Sequence, residues 1–146
     1  MTHLILNLYE CDGKSLIDPD IVLETLTEAI NMADMTAINF QVERVGDEND
    51  FGFTGIALLK ESHLSIHTWP SEKYCAIDLF SCKEFETKKL IGYFKSMFKS
   101  KKVYYKILER SVAIPESTCD KHGSQWKTCN DNDDYVTWYD WLMKGH

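Results

Sequence analysis

The sequence predicts an α+β fold, a two-layer α/β sandwich in which a mostly antiparallel sheet carries two helices on one face. Six short segments have the apolar character of strands, and two longer segments repeat apolar residues at helical spacing. Their order is β-α-β-β-β-β-α-β, and such a run of consecutive strands favours antiparallel pairing over a parallel sheet. Because both helices cover one face, we expect the other face to pack against a second protomer.

The first half of the chain supplies a strand, a helix and two further strands. THLILNLYE (2–10) is the first strand, and CDGKSLIDPD (11–20) is a turn in which Asp18 or Asp20 caps the helix that follows. That helix runs from Pro19 to about Ala33, and its apolar stripe consists of Ile21, Val22, Leu26, Ala29, Ile30 and Ala33. TAINFQVERV (36–45) and FGFTGIALLK (51–60) are strands, separated by the acidic loop GDEND.

The second half supplies two strands, a helix and a last strand. HLSIHTW (63–69) and YCAIDLFS (74–81) are strands with Pro70 at the corner between them. KEFETKKLIGYFKSMFKS (83–100) is the second helix, and its core-facing stripe consists of Phe85, Leu90 or Ile91, Phe94, Met97 and Phe98. KVYYKILER (102–110) is the last strand.

A change in composition divides the chain into a domain, 1–114, and a C-terminal extension, 115–146, which we expect to pack on the same domain. The first half of the extension is polar and rich in turn residues, and its end is aromatic. Its acidic run, DNDDYVTWYDW, lacks the loop glycine and terminal glutamate of an EF-hand, so we predict no metal there.

Composition also disfavours several classes of function. A net charge of −7 disfavours nucleic-acid binding, because phosphates require clustered Lys and Arg. No stretch approaches the roughly 18 apolar residues of a membrane span, and the N-terminus lacks the basic region of a signal peptide. Five cysteines without a C-x-x-C pair indicate reduced thiols rather than zinc or disulfides. We therefore expect a cytoplasmic protein with a small-molecule substrate and no nucleic-acid or membrane partner.

The stretch LKESHLSIHTWPSEKYCAIDLFSC (59–82) concentrates reactive side chains on neighbouring strands, which makes it the candidate active site. The side chains concerned are Ser62, Ser65, His67, Cys75 and Cys82. His63 and His67 have metal-ligand spacing for a helix, but their surroundings favour a strand, on which residues 63, 65 and 67 share one face. A plain serine hydrolase is disfavoured, because no G-x-S-x-G motif is present and no acid is placed to orient the histidine.

The string KESHLSIHTWP, followed by YCAIDLFSC, resembles the central motif of the prokaryotic S-adenosylmethionine decarboxylases, which are pyruvoyl-dependent enzymes. The resemblance extends back through GFTGIALL to HLILNLYECD and covers about the first 110 residues. It implies a decarboxylase that makes the aminopropyl donor for polyamine synthesis. It also implies a two-layer protomer whose sheet packs against that of another, and hence a homodimer of processed protomers.

The resemblance assigns the cofactor to Ser62. In such proteins Ser62 would attack the carbonyl of Glu61, and elimination and hydrolysis would leave a pyruvoyl group in its place. The products would be a β chain, 1–61, and an α chain, 62–146. Substrate binds the pyruvoyl ketone as a Schiff base, which accepts the electrons released on decarboxylation. A strained peptide at a strand-to-strand turn would favour the cleavage.

Three further roles follow from the same resemblance. His67 matches the histidine that removes a proton during self-cleavage. Thr54, in GFTG, stands where the family usually has an assisting serine, so a hydroxyl is kept. Cys82 matches the cysteine that returns a proton to Cα after carbon dioxide leaves, as a positioned thiol can do.

Two departures from the family pattern bear on the substrate. After HTWP the family typically has a glutamate that binds the ribose hydroxyls, whereas this chain has Ser71, with Glu72 one position later. At a turn after proline, Glu72 can still reach the site. Before FGFTG the family usually has an aromatic residue and a proline that help to hold adenine. This chain has GDENDF, so the stacking candidates are Phe51, Phe53 and Trp69.

Two alternatives therefore stand beside S-adenosylmethionine decarboxylation. The carboxylates of Asp47, Glu48 and Asp50 would suit a guanidinium or ammonium group, so the same pyruvoyl chemistry on L-arginine or L-ornithine is one alternative. A non-catalytic regulatory relative that stays uncleaved is the lesser alternative. The presence of the whole set Ser62, His67 and Cys82 argues against it.

Overall fold

Six strands form one sheet in the computed structural model, which describes residues 1–112 of the chain. The strands are β1 (Thr2–Tyr9), β2 (Ala37–Gly46), β3 (Phe51–Leu59), β4 (Ser62–Trp69), β5 (Tyr74–Ser81) and β6 (Lys102–Glu109). Their spatial order is β2-β3-β4-β5-β1-β6, and each neighbouring pair is antiparallel. The α+β fold with an antiparallel sheet is confirmed. The predicted extension 115–146, with its acidic run, lies outside the described residues.

The described helices are α1 (Gly13–Leu16), α2 (Pro19–Met32) and α3 (Thr87–Met97). α2 begins as predicted, because the Asp18 side chain accepts the N–H of Asp20 at 2.9 Å and Pro19 occupies the first helical position. α1 was not predicted, since the sequence indicated only a turn. The buried hydroxyl of Thr68 donates to the Leu16 carbonyl (2.9 Å) and accepts the N–H of Phe53 (2.8 Å), so tertiary contacts hold this single turn.

α3 is shorter than the predicted helix 83–100. It ends in a Schellman motif, in which Lys99 has φ 47° and the N–H groups of Lys99 and Ser100 bond to the carbonyls of Ser96 and Lys95. Residues 84–86 precede the helix and are not helical, although Phe85 still packs against the core. The apolar stripe was therefore correct, and the predicted boundaries were too wide.

The two faces of the sheet differ in burial. The helix-covered face holds Leu4, Leu6, Leu8, Ala57, Leu59, Leu64, Ile66, Ile77 and Leu79, all of them buried. A Cβ at Gly55 would lie 2.7 Å from Val22, so glycine there allows α2 to approach β3. The opposite face, which we call the open face, leaves large apolar side chains exposed: Tyr9, Ile56, Leu58, Trp69 and Tyr104. In the described residues the helices thus cover one face of the sheet, as predicted, and packing of the open face against a second protomer stays a prediction.

Candidate active site

Ser62 occupies a strained position at the start of β4. A two-residue turn, Lys60–Glu61, joins it to Leu59, with which it pairs across the β3–β4 hairpin. Its φ is 152°, in a region that residues bearing a Cβ rarely adopt. The peptide bond between Glu61 and Ser62 therefore lies next to backbone strain.

Three hydrogen bonds hold the turn before Ser62. The Glu61 carbonyl oxygen accepts the N–H of Cys82 at 3.0 Å, which polarises this carbonyl toward attack by a nucleophile. The Glu61 carboxylate accepts the N–H of Thr36 at 3.0 Å, and this bond lowers the pKa of the Glu61 carboxyl. The N–H of Lys60 donates to the Thr36 carbonyl, also at 3.0 Å.

Cys82 lies beside this turn as an exposed free thiol. It directly follows Ser81, which pairs with Ser62 in the sheet. A cavity of about 560 Å³ adjoins Cys82 and is also lined by Lys83, Glu109 and Arg110. This volume falls in the range of small-molecule sites, so the thiol faces enough space for a substrate.

His67 and Thr54 form a second group, near the other end of β4. The two residues pair across β3 and β4, and Thr54 Oγ1 lies 3.1 Å from His67 Nδ1, within hydrogen-bonding distance. The His67 ring is 6.0 Å from the Trp69 ring, which in turn stacks on Tyr74 at 5.2 Å. The fold thus brings together the histidine and the hydroxyl that the sequence singled out.

Within one chain, Ser62 and His67 do not meet. They are five positions apart on one strand, which at about 3.3 Å per residue separates them by about 16 Å. They also differ in face: His63, Ser65 and His67 lie on the open face, as predicted, whereas Ser62 has the parity of buried Leu64. We call Glu61, Ser62 and Cys82 the serine half-site, and Thr54, His67 and Trp69 the histidine half-site.

The predicted substrate-binding residues fall into two cavities. Phe51 and Trp69 line one of about 210 Å³. Glu72 lines another of about 490 Å³, together with Tyr9 and Tyr104. Phe53, the third stacking candidate, is 8% exposed and belongs to the core. The structure therefore brings Phe51 and Trp69 together and places Glu72 in a separate aromatic cavity.

The acidic loop between β2 and β3 makes most of its contacts within itself. The Asp47 carboxylate accepts the N–H groups of Asn49 (2.8 Å) and Asp50 (2.9 Å), and these bonds lower the pKa of the Asp47 carboxyl. Arg44 donates to the Asp47 carbonyl and lies over the Phe51 ring, 4.1 Å from its centroid. The loop thus already holds one guanidinium, and Asp47 is engaged in a turn.

One residue in the candidate stretch does not belong to the site. Cys75 is fully buried on the helix-covered face, and desolvation raises the pKa of its thiol well above the ordinary value. The sequence grouped Cys75 with the reactive side chains because strand proximity alone does not reveal which face a residue occupies. The grouping of Cys75 with the candidate site was wrong.

Sequence reasoning missed three groups that the structure places at or near the half-sites. Thr36 acts through its backbone, which leaves no trace in side-chain patterns. Tyr9 and Tyr74 extend the aromatic row beside Trp69, with ring centroids 5.0 Å apart. Their positions at strand ends next to turns were a usable signal. Within residues 1–112, no group of three or more His, Cys, Asp or Glu side chains is arranged to hold a metal ion.

Fold and site together define a class: an antiparallel α+β domain in which a strained hairpin places Ser62 after a carbonyl bonded to the N–H of Cys82. The family model described as S-adenosylmethionine decarboxylase matches residues 2–111, and the chain belongs to this family. The resemblance stated from the motif is confirmed. No helix in the described part of the chain is long and apolar enough to cross a membrane.

Individual relatives agree with this assignment. The S-adenosylmethionine decarboxylase proenzyme of Prochlorococcus marinus (strain MIT 9313) is 46% identical over 80 residues, which cover 55% of this chain and 62% of that protein. The proenzyme of Clostridium botulinum (strain Loch Maree / Type A3) is 31% identical over 109 residues, covering 74% and 91%. The match to the first of these thus spans less than two thirds of that relative.

A solved structure is also similar. The crystal structure of the adenosylmethionine decarboxylase from Aquifex aeolicus VF5 has a TM-score of 0.67 and 25% sequence identity to this chain. The superposition covers 81% of this chain and 96% of that one. This likeness supports the two-layer fold and its strand topology.

Proposed function

We propose that this chain is the precursor of a pyruvoyl-dependent decarboxylase that converts S-adenosylmethionine to decarboxylated S-adenosylmethionine, an aminopropyl donor, and carbon dioxide. The peptide before Ser62 carries the proposal. It lies next to a φ of 152°, and its carbonyl oxygen accepts the N–H of Cys82 at 3.0 Å. The names of the relatives, which are proenzymes of S-adenosylmethionine decarboxylase, support the same function.

Self-cleavage begins at the serine half-site. The Ser62 hydroxyl oxygen bonds to the Glu61 carbonyl carbon, and the peptide C–N bond breaks, which leaves an ester and a free amine. The N–H of Cys82 stabilises the charge that develops on the carbonyl oxygen, and release of strain lowers the cost of the shift. Removal of the Cα proton of residue 62 by His67 breaks the Cβ–O bond of the ester. This step releases the main-chain carboxylate at the new C-terminus of Glu61 and leaves dehydroalanine at residue 62. Water then replaces the nitrogen, which leaves as ammonia.

A pyruvoyl group at residue 62 supplies the electron sink that decarboxylation requires. The surroundings fit such a group, because the carbonyl before residue 62 is bonded to the N–H of Cys82, whose free thiol belongs to a residue that lines a cavity. The Cys82 thiol returns a proton to the substrate carbon that loses carbon dioxide. Phe51 and Trp69 offer aromatic faces to the adenine, and Glu72 offers a carboxylate to the ribose hydroxyls.

A homodimer completes the site. Each chain carries both half-sites about 16 Å apart, so a serine and a histidine can meet only if they come from different chains. In a dimer with a two-fold axis, the hairpin end that carries Glu61, Ser62 and Cys82 in one copy lies against the histidine half-site of the other, and this contact is made twice. The exposed apolar side chains of the open face, among them Ile56, Leu58 and Trp69, supply the buried area for this contact.

Two measurements test the proposal. Denaturing mass spectrometry of the purified protein should show chains 1–61 and 62–146, and Ser62→Ala should remain intact. Carbon dioxide release should then be measured with S-adenosylmethionine, L-ornithine and L-arginine in parallel. Carbon dioxide release from a basic amino acid alone would show that this amino acid, and not S-adenosylmethionine, is the substrate. An intact wild-type chain would favour the non-catalytic regulatory relative.

The contacts of the acidic loop bear on the basic amino-acid alternative. The Asp47 carboxylate accepts two backbone N–H groups, and Arg44 donates to the Asp47 backbone carbonyl, so one of the loop's three carboxylates is already used within the loop. The names of the relatives favour S-adenosylmethionine as the substrate. The cytoplasmic location stays a prediction.

A further inference from the structure

A short segment between α2 and β2 contacts both loops of the serine half-site. We call residues 34–36 the bridging segment. Thr36 accepts the N–H of Lys60 and donates its own N–H to the Glu61 carboxylate, each at 3.0 Å. On the other side, the Lys83 ammonium donates to both the carboxylate and the backbone carbonyl of Asp34. One segment of three residues thus touches the turn before Ser62 and the loop after Cys82.

The bridging segment is itself anchored. α2 ends in a Schellman motif, in which Asp34 has φ 52° and the N–H groups of Asp34 and Met35 bond to the carbonyls of Asn31 and Ile30. The Met35 side chain is buried in the core. Because these bonds fix the chain direction after the helix, both polar groups of the Thr36 backbone point to the Lys60–Glu61 turn.

The loop that carries Cys82 is tied to the same frame. The N–H of Cys82 bonds to the Glu61 carbonyl, and the N–H of Lys83 bonds to the buried Ser81 hydroxyl at 2.9 Å. The turn, the bridging segment and the cysteine loop therefore form a closed set of contacts around the Glu61–Ser62 peptide. Displacement of any one of them moves the carbonyl that Ser62 attacks.

We propose that the bridging segment positions the Glu61–Ser62 peptide for self-cleavage, and that the Glu61 carboxylate is the positioning side chain through which it acts. This inference rests on the proposed function. The carboxylate holds the turn in its strained form, in which φ of Ser62 is 152°, with its carbonyl on the N–H of Cys82. The bond from Thr36 thereby opposes relaxation of the strained turn.

The bridging segment also has a role after cleavage. Asp34, Thr36 and Glu61 belong to the β chain, whereas Cys82 and Lys83 belong to the α chain. The Asp34–Lys83 ion pair and the Cys82–Glu61 bond thus join the two chains beside the cut. They keep the new end of the α chain next to the Cys82 thiol, where the proposed chemistry takes place.

The test compares cleavage rates of Glu61→Ala and Glu61→Gln in purified protein, followed on denaturing gels. Alanine removes the acceptor for the Thr36 N–H, so cleavage should slow about five- to tenfold. Glutamine keeps an acceptor oxygen in the same place and should restore most of the lost rate. Glu24→Ala, the same substitution at an exposed helix position, is the matched control and should cleave like the wild type. Melting temperatures of all variants identify any general loss of stability.

A second pair of variants removes the partner atom. Thr36→Pro deletes the N–H donor, whereas Thr36→Ala keeps it. Thr36→Pro should slow cleavage, and combining it with Glu61→Ala should add little, since both changes break one bond. Equal rates for Glu61→Ala and wild type, or a glutamine variant as slow as alanine, would overturn the positioning role while leaving the proposed function standing. A wild-type chain that never cleaves would overturn both.

Discussion

The two ends of β4 differ in whether backbone or side-chain groups form the half-site. At the serine half-site the main features belong to the backbone. Ser62 has a φ of 152°, and the N–H groups of Cys82 and Thr36 donate to Glu61. At the histidine half-site the main features belong to side chains. Thr54 lies within hydrogen-bonding distance of His67, and Trp69 and Tyr74 stack beside them. The backbone strain at Ser62 is thus separated from the His67 side chain, and in the proposed mechanism a second copy of the chain brings the two together.

The largest effects are expected from variants that remove Ser62 or His67, and mixing these variants tests whether the two residues act from different chains. Ser62→Ala and His67→Ala should each abolish self-cleavage when purified alone. In a mixture of the two, refolded together, the His67→Ala chain keeps its serine and receives a histidine from the other copy. That chain should therefore be cleaved, and mass spectrometry can identify it by its mass. Cleavage of His67→Ala alone would show that histidine is dispensable, and an uncleaved mixture would contradict the composite site.

A substitution at Cys82 distinguishes the role of its backbone N–H from the role of its thiol. Cys82→Ala removes the thiol but keeps the N–H that bonds to the Glu61 carbonyl. Cleavage should therefore continue, whereas kcat for decarboxylation should fall about 100-fold or more, because a positioned proton donor is lost. Cys11→Ala, which removes a buried thiol outside the site, is the control. Equal loss of cleavage and decarboxylation in Cys82→Ala would mean that the thiol also acts in processing.

A smaller effect is expected from the hydroxyl at the histidine half-site. Thr54→Val keeps the shape of the side chain but removes the group 3.1 Å from His67. Loss of one hydrogen bond that orients a histidine should slow cleavage about three- to tenfold. Thr54→Ser restores a hydroxyl and should restore most of the rate. A valine variant that cleaves at the wild-type rate would remove Thr54 from the mechanism.

The last experiment compares how readily the thiols of Cys11, Cys75 and Cys82 react in the unmutated protein. Burial raises the pKa of Cys11 to about 11 and that of Cys75 well above its ordinary value. Because the reactive species is the thiolate, both thiols stay protonated at pH 8 and should resist iodoacetamide until the protein unfolds. Exposed Cys82 should be labelled in the native protein, as peptide mapping can check. Early labelling of Cys75 would contradict its burial.

Several elements could be predicted from local sequence because local signals specify them. The alternation of β4 placed His63, Ser65 and His67 on one face, and the Asp18 cap marked the start of α2. The limits of α3 were predicted too widely, because its apolar stripe begins at Phe85, before the helix, and gives no sign of the Schellman motif at Lys99 that ends the helix. The four-residue helix α1 was missed, because it depends on the buried Thr68 hydroxyl rather than on any repeat.

The sequence by itself determined the order of the six strands and the two longer helices, and the family, because strand alternation and the KESHLSIHTWP string are local patterns. It also nominated the candidate site residues. Only the tertiary structure decided which of those residues meet. It removed Cys75 by burying it, placed Glu72 apart from Phe51, and set Ser62 and His67 at opposite ends of one strand. The contacts of Thr36 with Lys60 and Glu61 are visible only in the tertiary structure, because they are made by backbone atoms that every residue type except proline shares.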